Sequence, residues 1–184
     1  MNTQRVWAMP CADTFDIAPI GELVKRYLRQ SEVSIDPFAR NKRWATHTND
    51  LNPDTAAEYH MDALDFLLML KEIDITADLV IFDPPYSPRQ IKECYDGIGL
   101  KMDGEEGWRT QGWTNERNTI DDLLSIGGVV LSFGWNSSGM GKARPYRAEE
   151  LLLVCHGSGH NDTICKVERK MAHQDSLLWQ RSPS

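Results

Sequence analysis

Short apolar runs alternate along the chain with amphipathic stretches, and polar or prolyl residues separate the two kinds of segment. In the stretch 19–29, Ile20, Leu23 and Val24 share one face at helical spacing, which predicts a helix. The run 77–82 is apolar nearly throughout and predicts a strand that is covered on both faces. An alternation of such strands and helices is typical of a parallel α/β sheet.

The remaining segments extend this pattern along the chain. Further strands are predicted at 33–36, 44–48, 129–133, 150–155 and 163–168, and further helices at 57–71, from 88 through 94, and at 114–125. Residues 57–61 are also open to interpretation as a short buried strand, and Gly127-Gly128 predicts a turn. The segment between the last two strands is Gly-rich and typical of a hairpin. The predicted fold class is therefore α/β, a mostly parallel sheet with a C-terminal antiparallel hairpin strand.

Length, cysteine spacing and hydropathy predict one domain with no cysteine-based zinc site and no membrane-spanning segment. The 184 residues, 41% of them apolar, are enough to bury one core, which is predicted over 1–170 with a tail at 171–184. The four cysteines have neither the spacing of a zinc site nor that of a disulfide framework. The sequence contains no recognisable leader and no apolar run of membrane-spanning length, so a cytoplasmic protein is expected.

The formal charge is −7, from 20 Lys and Arg against 27 Asp and Glu, and it argues against a tight non-specific grip on nucleic acid. The net charge is still compatible with weak binding to nucleic acid, because it can hide a local basic patch. Residues 40–43 and 142–147 are the two candidate patches. Solvated surface charges are an equally good interpretation of both.

The sharpest chemical feature is the tetrapeptide Asp83-Pro84-Pro85-Tyr86, directly after the apolar run 77–82. Ligands of open α/β sheets bind beyond the carboxyl ends of the strands, so this acid, two rigid prolines and an aromatic ring are predicted to face a crevice. A strand end with a prolyl turn is the alternative interpretation.

With this motif the sequence resembles the amino-methyltransferases that use S-adenosylmethionine, above all the DNA adenine-N6 family with its D-P-P-Y motif. Other segments resemble further motifs of that family in order and spacing: Asp36-Pro37-Phe38, Asn49-Asp50, Asp62-Ala63 and Thr14-Phe15. The strings 82–99 and 132–139 also resemble small phage-associated members. The resemblance implies a Rossmann-like class I methyltransferase fold, S-adenosylmethionine as cofactor, and base flipping.

The chemistry of the reaction explains the catalytic roles that the resemblance implies. An exocyclic amine is a poor nucleophile because its lone pair is delocalised into the ring. Asp83 and the carbonyl of Pro84 would each accept one amine hydrogen and hold the nitrogen toward the methyl group. Pro84 and Pro85 fix that carbonyl, and Tyr86 offers a flat face on which an extruded base can stack.

The resemblance also implies cofactor contacts after three predicted strands. Asp36 and Phe38 would meet the methionine portion and the ribose. Asp50 would accept the ribose hydroxyls, and Asp62 the adenine amine. For Asp50 and Asp62 a solvated or helix-capping acid is the alternative interpretation.

The loop after the first of these strands departs from the family pattern. The family has glycines there, whereas this chain has Ala39-Arg40-Asn41. We therefore expect a backbone that turns less freely and a weaker grip on the cofactor. Thr14 and Phe15, which precede the first helix, resemble the motif that closes over the methionine end.

Substrate contacts are predicted on two later loops. These candidates are Trp135, Asn136, His156, His160 and Asn161. The family topology places the hairpin loop with its two histidines beside the crevice. The same histidines have the chemistry of metal ligands, but no third ligand has metal-like spacing outside the loop, so no metal is predicted. Trp108 and Trp113 are candidates for base stacking or a lid, or for buried anchors.

Methylation of adenine N6 in DNA with a loose sequence preference is the predicted function, because no inserted block is large enough for a separate target-recognition domain. DNA binding is expected to be weak and salt-sensitive, with recognition by loops, a homo-oligomer or a partner. Two alternatives stay open. One is methylation of another amine, on RNA guanine N2, a nucleotide or a protein side chain; the other is a catalytically inactive subunit that binds the cofactor.

Overall fold

The computed structural model describes residues 1–99, 113–157 and 159–172. Its helices are α1 (Ala18–Leu28), α2 (Ala63–Glu72), α3 (Pro88–Gly97) and α4 (Thr114–Leu123), and a 3₁₀ turn (Thr14–Asp16) precedes α1. Its strands are β1 (Asn2–Trp7), β2 (Ser34–Asp36), β3 (His47–Thr48), β4 (Ala77–Phe82), β5 (Leu124–Gly134), β6 (Tyr146–Cys155) and β7 (Thr163–Lys170). Trp108 and most of the predicted connection and tail lie outside the described residues.

In the described part of the chain, the strands form one sheet in the order β1-β6-β7-β5-β4-β2-β3. β7 runs antiparallel to both of its neighbours, and the other pairs are parallel. This arrangement confirms the predicted mostly parallel α/β sheet with its C-terminal antiparallel strand. It also brings the carboxyl ends of β2, β3, β4 and β5 to one edge, where parallel sheets bind ligands.

Both faces of the sheet are covered, which explains why β4 is apolar almost throughout. On one face α1 packs Ile20, Leu23 and Val24 against Ile81 and Leu131. The opposite face carries a second cluster, built by α2 and α4 over β2, β4 and β5, with Phe66, Leu67, Ile120, Phe82 and Val130 among its members. Each helix thus buries the apolar stripe that its spacing predicts.

The sequence pattern did not reveal β1. Its residues, Asn-Thr-Gln-Arg-Val-Trp, are nearly all exposed, and only Val6 packs against the core. An edge strand that is solvated on both faces carries no apolar alternation to recognise. β1 pairs in parallel with β6, with Asn2 opposite Glu150.

The prediction of a helix over 57–71 was wrong in its first six residues. Asp62 caps α2 by accepting the Leu64 amide at 2.9 Å, and the helix begins at Ala63. Before it, Tyr59 forms an isolated parallel bridge with Asn49, which agrees in part with the alternative of a strand at 57–61. The predicted strand 44–48 is shorter than expected, because only His47–Thr48 pairs with β2.

The region around residue 125 also differs from its prediction. β5 begins at Leu124, directly after α4, so Gly127-Gly128 lies inside the strand instead of forming the turn. The pairing of β4 with β5 shifts register between Ala77 and Leu79, and Gly127 has a φ of 86°. The two glycines therefore lie in an irregular stretch of the strand, where a glycine can adopt the required backbone conformation without strain. β6 and β7 extend past their predicted limits, to Tyr146 and Lys170.

Within the described ranges, no helix is both long enough and apolar enough to cross a lipid bilayer.

Candidate functional site

A cavity of about 570 Å³ lies where the loops after β2, β3 and β4 meet α3 and the start of α4. Its volume is in the range of small-molecule sites. Of the predicted residues, the following line it: Thr14, Pro37, Phe38, Asn49, Asp50, Asp62, Ala63, Asp83, Pro84, Pro85 and Tyr86. Segments from five different parts of the sequence thus converge on one cavity.

The tetrapeptide after β4 is held rigidly at the edge of this cavity. The Tyr86 hydroxyl donates a hydrogen bond to Asp83 Oδ1, and the Tyr86 amide donates to Gln90 Oε1 at 2.7 Å. Ser87 caps α3 by accepting the Gln90 amide at 3.2 Å. The motif therefore passes directly into a helix whose first turn holds the Tyr86 backbone, while Asp83 holds the Tyr86 ring through its hydroxyl.

Asp83 is the site carboxyl with an acidity suited to proton chemistry. Burial raises its pKa from 3.8 to about 6, against the opposing effect of hydrogen bonds from the Tyr86 and Thr14 hydroxyls. At neutral pH the group is mostly ionised and can accept a hydrogen bond. The pKa of Tyr86 lies well above its ordinary value, because burial and the adjacent Asp83 both disfavour the phenolate.

The loop after β2 turns without the glycines of the family pattern. Arg40 adopts the left-handed conformation with a φ of 50°, and its amide donates to Asp50 Oδ2 at 3.0 Å. Its guanidinium donates to the Ala12 carbonyl at 2.5 Å and lies 3.3 Å from Asp13. Side-chain contacts therefore hold in place a turn that glycine would adopt without strain.

Asp36 and Phe15 lie behind the cavity wall and do not line it. Asp36 is buried and accepts the Phe38 amide at 3.0 Å, and desolvation raises its pKa well above the ordinary value. Phe15 packs in the core against Trp44 and Phe133. In the structure both residues support the loops that reach the cavity, and their direct contact with a ligand stays a prediction.

Asn49 joins three loops of the site with one buried side chain. Its amide group donates to the Pro37 carbonyl at 3.2 Å and the Met61 carbonyl at 3.0 Å, while its oxygen accepts the Met61 amide at 3.1 Å. The side chain is fully buried. Asn49 therefore fixes the spacing between the loops that carry Phe38, Asp50 and Asp62.

Asp50 and Asp62 both reach the cavity with acceptor capacity to spare. Asp50 takes one backbone amide on each oxygen, from Arg40 and from Asn52 at 2.9 Å. Asp62 Oδ2 accepts the Tyr95 hydroxyl at 3.3 Å, while Oδ1 caps α2. Because a carboxylate oxygen has two lone pairs, each group can accept further hydrogen bonds from a ligand.

The sequence prediction missed the wall that α3 contributes, whereas it named Trp113, at the start of α4, as a candidate for stacking, a lid or an anchor. The residues on the α3 wall include Gln90, Ile91, Cys94 and Tyr95, followed by Ile98. They recur at the spacing of one helical face immediately after the tetrapeptide, a signal that was available in the sequence. From the other side, Trp113 packs edge-on against Phe38 with ring centroids 5.3 Å apart.

The described residues that line the cavity give it an acidic character. They include the acids Asp50, Asp62, Asp83, Glu93 and Glu116, against one basic side chain, Arg40. An acidic lining favours a cationic ligand and disfavours a phosphate-bearing one. The loop after β2 also contains no glycine-rich phosphate cradle.

The predicted substrate residues do not line the cavity. Trp135 is nearest to the site, since its ring lies edge-on to Tyr86 at 5.7 Å, and Asn136 follows it with its Oδ1 accepting the Ser138 amide at 3.0 Å. His156 is buried between the Ala8 carbonyl and the Thr163 hydroxyl, each 2.9 Å from a ring nitrogen.

His160 and Asn161 are exposed on the same hairpin loop as His156. The substrate roles of these side chains stay predictions. Among the residues that the structure covers, no group of three or more His, Cys, Asp or Glu side chains is placed to hold a metal ion.

The basic cluster at 40–43 is largely engaged within the chain. Besides the contact of Arg40 with Asp13, Lys42 lies 2.5 Å from Asp16. In the second cluster, Arg147 pairs with Glu149 at 2.9 Å. These pairs reduce the positive potential that either patch presents to a phosphate.

No protein-family model matches the sequence, and no curated protein does. Among solved structures, the chain is similar to yhhF from Escherichia coli, described as a candidate methyltransferase, with a TM-score of 0.54 and 12% identity over 90% of this chain and 92% of that one. It is also similar to SMU.776, a candidate methyltransferase solved with SAH, with a TM-score of 0.54 and 13% identity over 79% of this chain and 48% of that one.

A third similar structure is NSun6 from Pyrococcus horikoshii with SFG, at a TM-score of 0.51 and 14% identity over 80% of this chain and 50% of that one. The chain therefore spans about half the length of SMU.776 and NSun6 and nearly all of yhhF. At these identities the likeness establishes the fold alone, and it confirms the predicted Rossmann-like α/β fold.

Proposed function

We propose that this chain transfers a methyl group from S-adenosylmethionine to an exocyclic amine, with N6 of adenine in DNA as the acceptor. The observation that carries the proposal is the position of Asp83-Pro84-Pro85-Tyr86 at the carboxyl end of β4, in the same cavity as Asp50 and Asp62. The solved structure of SMU.776 with SAH, the product left after methyl donation, supports the choice of cofactor.

The residues of the cavity fit S-adenosylmethionine in charge and in hydrogen-bonding capacity. The two oxygens of Asp50 retain acceptor sites for the paired hydroxyls of a ribose, and Asp62 retains one for an adenine amine. Phe38 and Ile91 provide apolar surface for a flat ring. The acidic lining suits the positive sulfonium and ammonium groups, and the bound cofactor would supply an electrophilic methyl group.

Asp83 holds the amine that receives the methyl group. Its ionised carboxylate accepts one amine hydrogen, and the rigid carbonyl of Pro84 accepts the other, which favours the tetrahedral nitrogen with a localised lone pair. Because the Tyr86 hydroxyl occupies Asp83 Oδ1 in the structure, the incoming amine displaces or shares that hydrogen bond. The ring of Tyr86, supported by Trp135, offers its face to the base.

A calorimetric titration with S-adenosylhomocysteine tests the cofactor half of the proposal. We expect wild type to bind, Asp50→Ala to bind at least tenfold more weakly, and Asp83→Ala to bind within about threefold of wild type, since only Asp50 faces the ribose. Asp54→Ala, an exposed acid of the same loop, is the matched control and should bind as wild type does. No binding by wild type, or equal loss in Asp50→Ala and Asp83→Ala, would contradict the assignment.

Mass spectrometry of DNA from cells that express the chain tests the acceptor half. We expect N6-methyladenine with wild type and its absence with Asp83→Ala. Cofactor binding without any methylated adenine would retain the cavity assignment and reject DNA adenine as the acceptor.

A second candidate is methyl transfer to another amine, on RNA guanine, a nucleotide or a protein side chain. The engagement of Arg40 and Lys42 with Asp13 and Asp16 favours the acceptors of this candidate that lack a phosphate backbone, a nucleotide or a protein side chain, since it leaves little free charge for DNA or RNA. Parallel assays with single-stranded DNA, duplex DNA, RNA, free nucleosides and nucleotides, and a protein extract would separate the two. An inactive binding subunit would bind cofactor and methylate none of them.

A further inference from the structure

The loop that follows β5 crosses the carboxyl edge of the sheet from one face to the other. It begins next to Phe133, which packs in the cluster on the α1 face, and reaches Met140, which is fully buried in the cluster on the α2 and α4 face. Near its start, Trp135 lies against Tyr86 of the tetrapeptide. The position of this loop therefore determines where the Trp135 ring packs against Tyr86.

Charged side chains hold the Met140 backbone through both of its peptide groups. Its amide donates to Glu168 Oε2 at 2.7 Å, and its carbonyl accepts from Arg144 Nη1 at 2.5 Å. Glu168 is itself buried on β7, and its other oxygen lies 2.7 Å from Lys166 Nζ. Hydrogen bonds to charged groups are about twice as strong as neutral ones, so this peptide is a firm anchor for the loop.

The backbone next to this anchor is shaped to fit Glu168. Gly139 has a φ of 53°, and a Cβ at that position would collide with the Glu168 carboxylate. The loop thus approaches β7 more closely than a residue with a side chain would permit.

Arg144 extends from the same anchor to the start of α4. Its Nη2 donates to Asn118 Oδ1 at 2.6 Å and to the Thr114 carbonyl at 3.2 Å, both in the first half of α4. α4 begins directly after Trp113, whose ring packs against Phe38 on the side of the cavity assigned to the cofactor. One guanidinium therefore contacts both the loop behind Tyr86 and the helix behind Phe38.

We propose that Arg144, seated against the Glu168 anchor, is a positioning residue that couples the cofactor side of the cavity to the substrate side. The inference rests on the proposed function, which assigns those two sides. A ligand packed against Phe38 and Trp113 fixes the start of α4, and Arg144 passes that constraint to Met140 and so to the loop that carries Trp135. The rigid fork of a guanidinium suits this task, because it addresses several acceptors at fixed angles.

Hydrogen–deuterium exchange of segment 134–141, followed by mass spectrometry with and without S-adenosylhomocysteine, tests the coupling. In wild type we expect the ligand to slow exchange of this segment by about fivefold or more, the size of a typical coupling between sites. In Arg144→Gln we expect ligand binding to persist within about threefold, while the ligand no longer slows exchange of the segment. Arg144→Lys should behave like Arg144→Gln, because it keeps the charge and loses the fork.

Arg169→Gln is the matched control. Arg169 follows Glu168 on β7, so its side chain points to the other face of the sheet, where it makes two hydrogen bonds to Glu149 and one to the Gly127 carbonyl. We expect this variant to keep the ligand-induced protection of segment 134–141. Protection that persists in Arg144→Gln, or that is lost equally in Arg169→Gln, would overturn the coupling.

The ligand-free exchange rates keep the two proposals separable. We expect segment 134–141 to exchange faster without ligand in Arg144→Gln and in Glu168→Gln than in wild type, because each removes part of the Met140 anchor. If S-adenosylhomocysteine binds and the ligand-free rates do not differ, the inference fails and the proposed function stands. If wild type binds no S-adenosylhomocysteine, the proposed function fails and the coupling fails with it.

Discussion

At the scale of single residues, Asp83 determines when the site is competent. Its carboxyl must be ionised to accept an amine hydrogen, and burial raises its pKa to about 6. The fraction of Asp83 that is ionised therefore falls as the pH drops through 6. Above pH 7 the ionisation is nearly complete. An ordinary aspartate would stay ionised down to about pH 4.

We expect the kcat/KM of methyl transfer to show an acidic limb near pH 6 and to fall about tenfold per pH unit below it. In Tyr86→Phe the limb should move to higher pH, because the hydrogen bond from the Tyr86 hydroxyl favours the ionised carboxylate. Tyr27→Phe, on α1 beside Glu150, is the control and should leave the limb in place. A limb at the same pH in Tyr86→Phe would show that another group governs it.

Arg40 is the second residue at which local chemistry has a measurable consequence. It holds the left-handed conformation with a φ of 50°, which costs a residue with a side chain about 1 kcal/mol relative to glycine. Its contacts with Ala12 and Asp13 offset that cost.

Comparison of Arg40→Ala with Arg40→Gly separates the backbone effect from the contacts. Both variants lose the guanidinium, but only the Ala variant retains the backbone strain. We therefore expect the free energy of unfolding to be about 1 kcal/mol higher for Arg40→Gly than for Arg40→Ala. Urea unfolding followed by circular dichroism measures the difference. The expectation fails if the Ala variant is the more stable of the two.

At the scale of elements, the site depends on very short strands that polar side chains complete. β3 pairs with β2 over two residues, and the loops beyond it are joined through Asn49. Backbone hydrogen bonds, such as that from the Ala39 amide to the Asn49 carbonyl at 2.8 Å, also join these loops, and the buried Asn49 side chain adds the ties to Pro37 and Met61.

We expect Asn49→Ala to lower the free energy of unfolding by about 2–3 kcal/mol, because it leaves the Pro37 and Met61 backbone groups unpaired. The same variant should weaken S-adenosylhomocysteine binding, since the loops of Phe38 and Asp62 lose their common tie. Asn115→Ala, which changes an exposed side chain of α4 outside the cavity lining, should alter the free energy of unfolding by less than about 0.5 kcal/mol. Thermal and calorimetric measurements on both variants check this, and equal losses would refute a special role for Asn49.

Elements with strong apolar periodicity could be predicted from the sequence, and weakly patterned ones could not. β4 and α1 are marked by their core-facing residues, and the tetrapeptide after β4 marked the cavity. β1 carries no such mark, because it is solvated on both faces. The start of α2 was misplaced because Tyr59 and Met61 pack against the core without belonging to the helix. Tyr59 instead pairs with Asn49 in an isolated bridge.

The candidate site shows the same division. Acids that follow strands could be located from the motif order, since chain topology brings strand ends together. Asp36 accepts the Phe38 amide inside the loop and does not line the cavity, a placement that depends on side-chain direction, and its contact with the cofactor stays a prediction. His156 of the hairpin loop could also be selected from the sequence. Its burial between Ala8 and Thr163 could not be predicted, because Ala8 follows β1, the strand that the pattern did not reveal.

At the scale of the whole molecule, the charge of −7 and the internal ion pairs predict a weak grip on DNA. If two phosphates are neutralised on binding, affinity for a duplex should fall about tenfold between 50 and 200 mM salt. Fluorescence anisotropy with a labelled 12-base-pair duplex measures this slope. Submicromolar binding by the monomer at physiological salt, or a slope several times steeper, would contradict the expectation.

The position of β1 in the sheet has a consequence for the order of assembly. Asn2 pairs with Glu150, so the first strand of the chain waits for β6 before it finds a partner, and β7 must also arrive to seat β6 beside β5. Contacts between such distant residues form slowly, because the intervening chain must be ordered first. On the ribosome, β2, β4 and their helices are available to build the cofactor side of the cavity well before β1 is in place. We therefore expect the cavity to take shape early and the far edge of the sheet to close last.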